Sequence, residues 1–176
     1  MFSNPTQNVP RFGLKAGMKV ADFGSGSGTY ARELGRFLGP DGKVYAVDIQ
    51  RDLLNNLIAE AGREGLHNIE PVWADLEKPE GSKIPSASLD AVLISNILFQ
   101  IQNKEGLLRE AVRVTHPYGK VIVIDWMDSF GNMGPTQGHI VAQQEMVELA
   151  ERAGLALGSE FEAGSHHYGL IFEKKP

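Results

Sequence analysis

The chain has 176 residues, of which 42% are hydrophobic and 22% charged, and this balance predicts one folded domain over residues 1–176. The net charge of −5 argues against a protein that binds nucleic acid by neutralising many phosphates, and the absence of cysteine excludes disulfides, thiolate metal sites and cysteine nucleophiles. The sequence shows neither a secretory leader nor an apolar run of about 18 residues, so we expect a cytoplasmic protein without a membrane span.

Apolar runs rich in β-branched residues alternate along the chain with stretches of helical spacing. This pattern is typical of a parallel sheet covered by helices on both faces. After a short N-terminal segment, residues 1–12, the first predicted strand is Lys19–Phe23, and a glycine run leads from it into a helix. The predicted elements that follow are a helix over 29–38, a strand over 43–48, a helix over 51–64, and strands over 69–74 and 89–97.

The second half of the chain continues the alternation. A helix over 104–115 precedes the most apolar strand, 120–126, and a last helix is predicted over 141–153. The two final segments, LALGSEFEAG and HYGLIFEKK, are close enough in sequence to pair as an antiparallel hairpin through the turn at Gly164. The segment 127–138 is rich in Gly, Pro, Asn and Ser, and its length predicts a binding segment or a lid.

Pro71 lies inside the third predicted strand. Proline has no N–H to donate to a sheet ladder, so it is confined to edge strands and bulges. We therefore expect the third strand at an edge of the sheet.

The first strand runs directly into the sequence VADFGSGSGTY, which places glycines at the alternate positions Gly24, Gly26 and Gly28. Glycine allows a tight turn and a close approach of the backbone to a ligand, and the next helix begins with free N–H groups. A dinucleotide fingerprint would need its third glycine where Thr29 stands, and a mononucleotide phosphate loop would need a Gly-Lys-Ser/Thr ending. The spacing therefore disfavours NAD and excludes ATP and GTP loops.

The G-x-G-x-G form preceded by Asp22 resembles the first motif of class I S-adenosylmethionine (SAM)-dependent methyltransferases. Asp48 matches the acidic residue that accepts both ribose hydroxyls in this family, and Ala74-Asp75 resembles its adenine site. Each residue alone could be a turn or a helix cap, but three successive strand ends together favour a ligand site. The resemblance assigns cofactor binding to Asp22, Gly24, Ser25, Gly26, Gly28, Tyr30, Asp48, Ile49, Ala74, Asp75, Leu76, Ser95 and Asn96.

The rest of the chain extends the resemblance. LDAVLISNILFQ is similar to the fourth motif of the family and REAVRVTHPYGKVIVID to its fifth, with His116 and Tyr118 in place of the family's Lys and Gly. The resemblance implies an α/β, doubly wound, Rossmann-like three-layer sandwich with a seven-stranded, mostly parallel sheet in the order 3-2-1-4-5-7-6, its last strand antiparallel. The Gly-Pro at Gly134 and the ending HYGLIFEK most resemble the small-molecule branch that includes quinone methyltransferases.

Several of these residues have an alternative interpretation. Asp22 is expected to support the glycine loop by holding backbone N–H groups rather than to react. Tyr30 either contacts the methionyl part of the cofactor or packs against the sheet. Ser95 and Asn96 are expected to face the reacting centre, with ordinary polar positions at a strand end as the alternative.

The sulfonium of SAM makes its methyl group electrophilic, so the protein chiefly has to align an acceptor with it. A general base helps where the acceptor is an oxygen or an acidic carbon, and the candidates are Asp125, His139 and His167. A surface or structural role is the alternative for these histidines, which lack metal-ligand spacing. We predict no metal site.

The acceptor is predicted to be small and apolar or amphipathic. Methyltransferases of base amino groups carry an Asn/Asp-Pro-Pro-aromatic run where this chain has Ser95-Asn96-Ile97-Leu98, and cytosine C5 and arsenic methylation rely on cysteine. The side chains expected to line the acceptor cavity are Ile97, Leu98, Phe99, Trp126, Met127, Phe130 and Met133.

We expect the short N-terminal segment to carry no cap domain, which leaves three expectations for the pocket. It is open, or the second protomer of a homodimer completes it, or it suits a large acceptor such as a protein or an RNA. Two other functions are weighed against methyl transfer: a SAM-binding module without turnover, and an oxidoreductase with a nucleotide cofactor, which Thr29 disfavours.

Overall fold

A computed structural model describes residues 3–130 and 134–174, and its elements follow the predicted order. The helices are α1 (Pro5–Asn8), α2 (Thr29–Leu38), α3 (Arg51–Arg63), α4 (Lys104–Val114) and α5 (Gln143–Arg152), with 3-10 turns at Val9–Phe12, Leu98–Gln100 and Gln137–His139. The strands are β1 (Lys19–Phe23), β2 (Lys43–Asp48), β3 (Ile69–Trp73), β4 (Leu89–Ser95), β5 (Thr115–Trp126), β6 (Leu155–Gly164) and β7 (His167–Lys174).

The strands form one sheet in the order β3-β2-β1-β4-β5-β7-β6. Neighbours from β3 to β5 pair in parallel, whereas β7 is antiparallel to both β5 and β6. β3 lies at one edge, as Pro71 predicts, and β6 lies at the other with two register shifts along its pairing to β7. The predicted doubly wound architecture, strand order and terminal hairpin are confirmed.

Two buried apolar clusters hold helices against the two faces of this sheet. On one face, Leu34 of α2 and Leu57 of α3 pack with Phe12 of the N-terminal segment. On the other face, Leu108 of α4 and Met146 of α5 join the second cluster. Each inner strand contributes to both clusters because successive side chains point to opposite faces, which explains the continuous apolar runs.

Several element ends differ from their predicted positions: α3 and β3 end one residue earlier, and α5 begins two residues later and ends one residue earlier. Two further differences have a cause that the structure shows. β4 ends at Ser95 because Asn96 has a φ of 57°, a left-handed backbone that turns the chain out of the sheet. β5 begins at Thr115, at the end of the predicted helix, since Thr115 already pairs with Leu89 ahead of a register shift. The predictions of a strand to residue 97 and of a helix through Thr115 are therefore wrong at these ends.

Over the described ranges 3–130 and 134–174, no helix combines the length and the apolar character that crossing a membrane requires.

Candidate functional site

The carboxyl ends of β1, β2, β3 and β4 border a cavity of about 540 Å³. Doubly wound sheets bind ligands at this edge, where the strand order reverses beside the first strand. Every residue predicted to bind cofactor lines this cavity except Gly28. The lining also includes residues outside the predicted cofactor-binding set, namely Ser3, Pro5, Ser27, Thr29, Gln50, Leu53, Glu77, Gln100 and Ile101.

The glycine loop needs glycine for its backbone and for space. Gly24, Gly26 and Gly28 have φ values of 74°, 53° and 76°, in the left-handed region that side chains disfavour. A Cβ on Gly28 would come within 2.2 Å of Leu57, and one on Gly24 within 2.5 Å of Ile97. Gly28 is the N-cap of α2 and packs against α3, which accounts for its place outside the cavity lining.

Asp48 joins the end of β2 to the glycine loop. Its side chain is 7% exposed, and its two carboxylate oxygens accept the backbone N–H groups of Gly26 and Gln50, each at 2.8 Å. A carboxylate has about four acceptor positions, so each oxygen keeps capacity for a further donor from the cavity. The same residue can therefore shape the loop and bind a ligand with two hydroxyl groups.

Asp22, at the end of β1, holds a backbone N–H group directly after the glycine loop. It accepts the N–H of Ala31 in the first turn of α2, whereas the Gly26 N–H within the loop donates to Asp48. Its role as a support of the loop stays a prediction. Asp22 is 2% exposed, and burial together with the neighbouring Asp48 charge raises its pKa to about 7. It is a carboxyl group that exchanges its proton near neutral pH.

Unpartnered polar atoms concentrate in the cavity. Among the described residues, four buried side-chain polar atoms lack a hydrogen-bond partner, and three of them belong to cavity-lining residues: Asp22 Oδ2, Ser25 Oγ and Asn96 Oδ1. Buried polar groups are nearly always hydrogen-bonded in folded proteins, so such a concentration indicates a missing polar partner. Asn96 Oδ1 can only accept, and Asp22 Oδ2 accepts whenever the carboxyl group is ionised, which favours a ligand rich in N–H and O–H donors.

The wall beyond Asp48 is formed by the ends of β2 and β3. Ile49 is 60% exposed, and its carbonyl accepts the indole N–H of Trp73 at 2.9 Å. Leu76 is nearly buried, and Asp75 accepts the N–H of Glu77 at 3.1 Å. This arrangement places two apolar side chains and a carboxylate at one end of the cavity, suited to a flat ring that carries an amino group.

Part of the cavity lining comes from the N-terminal segment, which the sequence predicted only as a short extension. Ser3 and Pro5 line the cavity, and the Ser3 hydroxyl is hydrogen-bonded to that of Tyr30. Asn8 Nδ2 donates at 2.9 Å to the Tyr30 hydroxyl and at 2.9 Å to the carbonyl of Ala163 in β6. The segment therefore helps to close the cavity; its serine and asparagine carry no pattern that would have revealed this.

The three predicted general bases lie outside the cavity lining. Asp125 is 1% exposed, and its oxygens accept the N–H groups of Leu98 and Trp126; burial raises its pKa to about 6. His167 packs on the Trp126 ring at 4.3 Å, and burial lowers its pKa to about 4. His139 is exposed and its Nδ1 lies 2.7 Å from the hydroxyl of Thr136.

The side chains predicted to line an acceptor cavity are dispersed. Ile97 lines the cavity, whereas Leu98 is fully buried in the core. Met127 and Phe130 are 44% and 50% exposed and, like Phe99 and Trp126, stand outside the lining. Met133 lies outside the described residues, as do two others of the predicted binding segment 127–138. The described part of the chain holds no cluster of three or more His, Cys, Asp or Glu side chains suited to a metal ion.

The family model described as a methyltransferase domain matches residues 14–174. The ubiquinone/menaquinone biosynthesis C-methyltransferase of Hahella chejuensis is 32% identical over 124 residues, which cover 67% of this chain and 47% of that protein. The enzyme of the same name from Pseudomonas fluorescens is 32% identical over 117 residues, 65% of this chain and 44% of that protein. The chain therefore spans less than half the length of these curated relatives.

Solved structures share the whole fold. A SAM-dependent methyltransferase from Aquifex aeolicus superposes with a TM-score of 0.88 at 28% identity, covering 98% of this chain and 90% of that one. The [4+2]-cyclase SpnF superposes with a TM-score of 0.82 at 16% identity, covering 97% and 80%, and at that identity the likeness concerns the fold alone.

Proposed function

The chain belongs to the methyltransferase domain family, and from that premise we propose that its cavity binds SAM and positions a small acceptor for methyl transfer. The resemblance to class I methyltransferases is confirmed, as is SAM as the cofactor of this family. The individual contacts with SAM and the chemical class of the acceptor are proposals.

The observation that carries the proposal is that three residues lining one cavity, Asp22, Ser25 and Asn96, each have a buried side-chain oxygen without a hydrogen-bond partner. SAM brings an ammonium group, two ribose hydroxyls and an adenine amino group, all of which are hydrogen-bond donors. An acceptor-rich cavity complements such a molecule, and buried carboxylates favour its positive charges. The side chains present therefore fit this cofactor.

Each end of the cavity would hold a different part of SAM. Asp48 would accept the ribose hydroxyls with the lone pairs that the Gly26 and Gln50 N–H groups leave free. Asp22 would face the methionyl ammonium group across the bare backbone of the glycine loop. Ile49 and Leu76 would enclose the adenine ring, with Asp75 close enough to accept its amino group.

When bound, SAM supplies a methyl group already made electrophilic by its sulfonium. The protein then has to orient the acceptor and keep water away, and alignment of this kind can supply a large part of a rate enhancement. We assign that task to four groups of the lining, Pro5, Tyr30, Asn96 and Ile97. Asp125, His139 and His167 do not line the cavity, so we assign them no contact with the acceptor. Their role as a general base stays a prediction.

We propose a small amphipathic acceptor of the quinone-precursor class, since the curated relatives are named for C-methylation in ubiquinone and menaquinone biosynthesis. The lining supports this class with apolar Pro5, Ile97 and Ile101 beside polar Asn96 and Gln100. Nucleic acid as a non-partner, a homodimer and a cytoplasmic location stay predictions.

A SAM-binding module without turnover is the second candidate. It is favoured by the position of all three predicted bases outside the cavity lining. A protein of this kind would bind the cofactor through the same residues and release no S-adenosylhomocysteine.

Calorimetry with SAM and with NADH tests the cofactor directly, and we expect heat of binding with SAM alone. A coupled assay for S-adenosylhomocysteine release with phenolic and quinol acceptors then separates an enzyme from a binding module. Binding of NADH without SAM would overturn the proposal, and SAM binding without release from any acceptor would favour the second candidate.

A further inference from the structure

The turn after β4 forms one wall of the cavity and is attached to β5. Ser95, Asn96 and Ile97 line the cavity, and Asn96 takes its left-handed backbone at this point. The N–H of Asn96 donates to the carbonyl of Ile124 at 2.9 Å. The geometry of this wall therefore depends on the end of β5.

The carboxylate of Asp125 makes a second link between β5 and the turn. Asp125 Oδ2 accepts the N–H of Leu98 at 3.1 Å, while Oδ1 accepts that of Trp126 at 2.8 Å. The side chain is 1% exposed, so these bonds form away from water. Hydrogen bonds to a charged group are stronger than those between neutral groups, which makes this a firm attachment.

Ile97 connects the turn after β4 to the glycine loop. Its side chain occupies the space over Gly24, where a Cβ would lie 2.5 Å from Ile97 Cγ2 and 2.9 Å from Cδ1. Displacement of the turn would move Ile97 off Gly24 and open the cavity beside Asp22. Leu98, whose N–H Asp125 holds, is the residue directly after Ile97.

We propose that Asp125 is a positioning residue, whose buried carboxylate fixes the Ile97–Leu98 turn against Gly24 and so preserves the shape of the cofactor cavity. Its importance for SAM rests on the proposed function, whereas its hold on the turn does not. This role replaces that of a general base, which would have to contact the acceptor.

The surroundings of Asp125 make its charge sensitive to mild acid. Burial raises the pKa to about 6, while the N–H groups and the charge of Lys104 on α4 oppose that rise. Tyr168 of β7 pairs with Asp125 across the sheet. The Tyr168 hydroxyl donates to the carbonyl of Val141 rather than to Asp125. The Asp125 charge contributes to the raised pKa of Tyr168. Glu145 on α5 also raises the Tyr168 pKa. We therefore expect Asp125 to lose its charge below about pH 6, and its hydrogen bond to the turn to weaken there, because an acceptor without charge binds an N–H group less strongly.

The test uses Asp125→Asn, with Asp90→Asn as the matched control. Asp90 also accepts a backbone N–H, that of Lys19 at 2.7 Å, but at the amino ends of β1 and β4, away from the cavity at their carboxyl ends. At pH 7.5 we expect D125N to bind SAM about 10-fold more weakly by calorimetry and to exchange the Leu98 amide hydrogen about 10-fold faster without ligand. D90N is expected to match the wild type in SAM affinity and in Leu98 exchange. In D125N, kcat at saturating SAM should fall less than kcat/KM.

The inference is overturned if D125N keeps both the SAM affinity and the Leu98 exchange rate of the wild type. It is also overturned if affinity is kept and kcat alone falls about 100-fold or more, the result for a general base. Should D125N fail to fold, the Leu98 protection factor of the wild type between pH 7.5 and 5 decides: it must fall below about pH 6. A wild type that binds no SAM would defeat the proposed function and leave the exchange test of the turn standing.

Discussion

Asp22 and Asp125 stand at the ends of two strands in the same sheet and have opposite surroundings. Both are almost fully buried, and burial raises the pKa of both. Asp22 lines the cavity and has one oxygen without a partner, whereas both oxygens of Asp125 accept backbone N–H groups and the residue lies outside the cavity lining. A buried carboxylate that the fold leaves unsatisfied indicates a ligand, and one that the fold satisfies indicates a structural support.

His167 tests the limits of that distinction. Its Nδ1 is buried and unpartnered within the described chain, yet the residue lies outside the cavity lining. Burial lowers its pKa to about 4, so the ring is neutral at physiological pH and packs on Trp126. A neutral nitrogen costs less to bury than a carboxylate, which explains why the fold tolerates it.

Asp48→Ala is expected to have the largest effect on SAM binding. The substitution removes the acceptors of the Gly26 and Gln50 N–H groups together with the proposed acceptors of the ribose hydroxyls. Several lost charge-assisted hydrogen bonds predict affinity lower by about 100-fold or more by calorimetry. Asp52→Ala, at an exposed position in the first turn of α3, is the control and should bind like the wild type. SAM affinity within about threefold of the wild type in D48A would remove Asp48 from the site.

Asp22→Asn is expected to weaken SAM binding about 10-fold at pH 8 and to stabilise the ligand-free protein there. The folded pKa lies above the unfolded value of 3.8, so the unfolded chain gives up its proton first and stability falls as pH rises from about 4 to about 7. At about 1.4 kcal/mol per pKa unit, this group costs at most about 4 kcal/mol at pH 8. Thermal unfolding at pH 5 and 8 should show a smaller pH-dependent loss in D22N than in the wild type; an equal loss would contradict the raised pKa.

Asn8→Ala should have a moderate effect, on stability more than on binding. It removes the donors to Tyr30 and Ala163, and the lost hydrogen bonds predict a decrease in unfolding free energy of about 1–2 kcal/mol. We expect SAM affinity about threefold lower, because Ser3 and Pro5 belong to the same segment. Gln7→Ala, exposed on the same helix, is the comparison by urea unfolding. Equal stability of the two variants would show that the segment does not depend on Asn8.

His167→Leu is expected to leave SAM affinity unchanged and to alter only the response to acid. The folded pKa lies below the unfolded value of 6.5, so the unfolded chain binds the proton first and stability falls as pH drops from 6.5 to about 4. The wild type should lose up to about 3 kcal/mol over this range through His167, and the leucine variant should be spared that loss. His139→Leu, at an exposed position, serves as the control. Loss of kcat in H167L with normal SAM binding would restore its role as a base and break the distinction drawn from Asp22 and Asp125.

Much of the fold could be predicted because local pattern and topology agree. Continuous apolar runs identified the parallel strands, and Pro71 identified the edge. The cavity could be anticipated from Gly24, Asp48 and Asp75, since residues directly after parallel strands meet at one edge of the sheet. The end of α4 was predicted one residue too late because Thr115 pairs with Leu89 in the sheet. This contact joins distant segments and cannot be seen in the local sequence.

The remaining features depend on contacts between distant segments. Asn8 connects to Ala163 across 155 positions, and this contact holds the segment that brings Ser3 to the cavity. The position of Asp125 at a strand end suggested chemistry, but only the Leu98 N–H above it reveals that its carboxylate is already engaged. Strand-end location therefore predicts the neighbourhood of a site better than it predicts the role of each residue.

The two edge strands, β3 and β6, also determine whether the sheets of two molecules can pair edge to edge. A strand from another copy that paired with β3 would find no backbone N–H donor at Pro71. A strand that paired with β6 would meet the exposed carboxylates of Glu160 and Glu162 together with a pairing register that shifts twice. Proline, charge and irregular register are obstacles to edge-to-edge growth of a sheet. Concentrated solutions of the folded protein should accordingly resist fibre formation, and any self-association should use a surface other than the sheet edges.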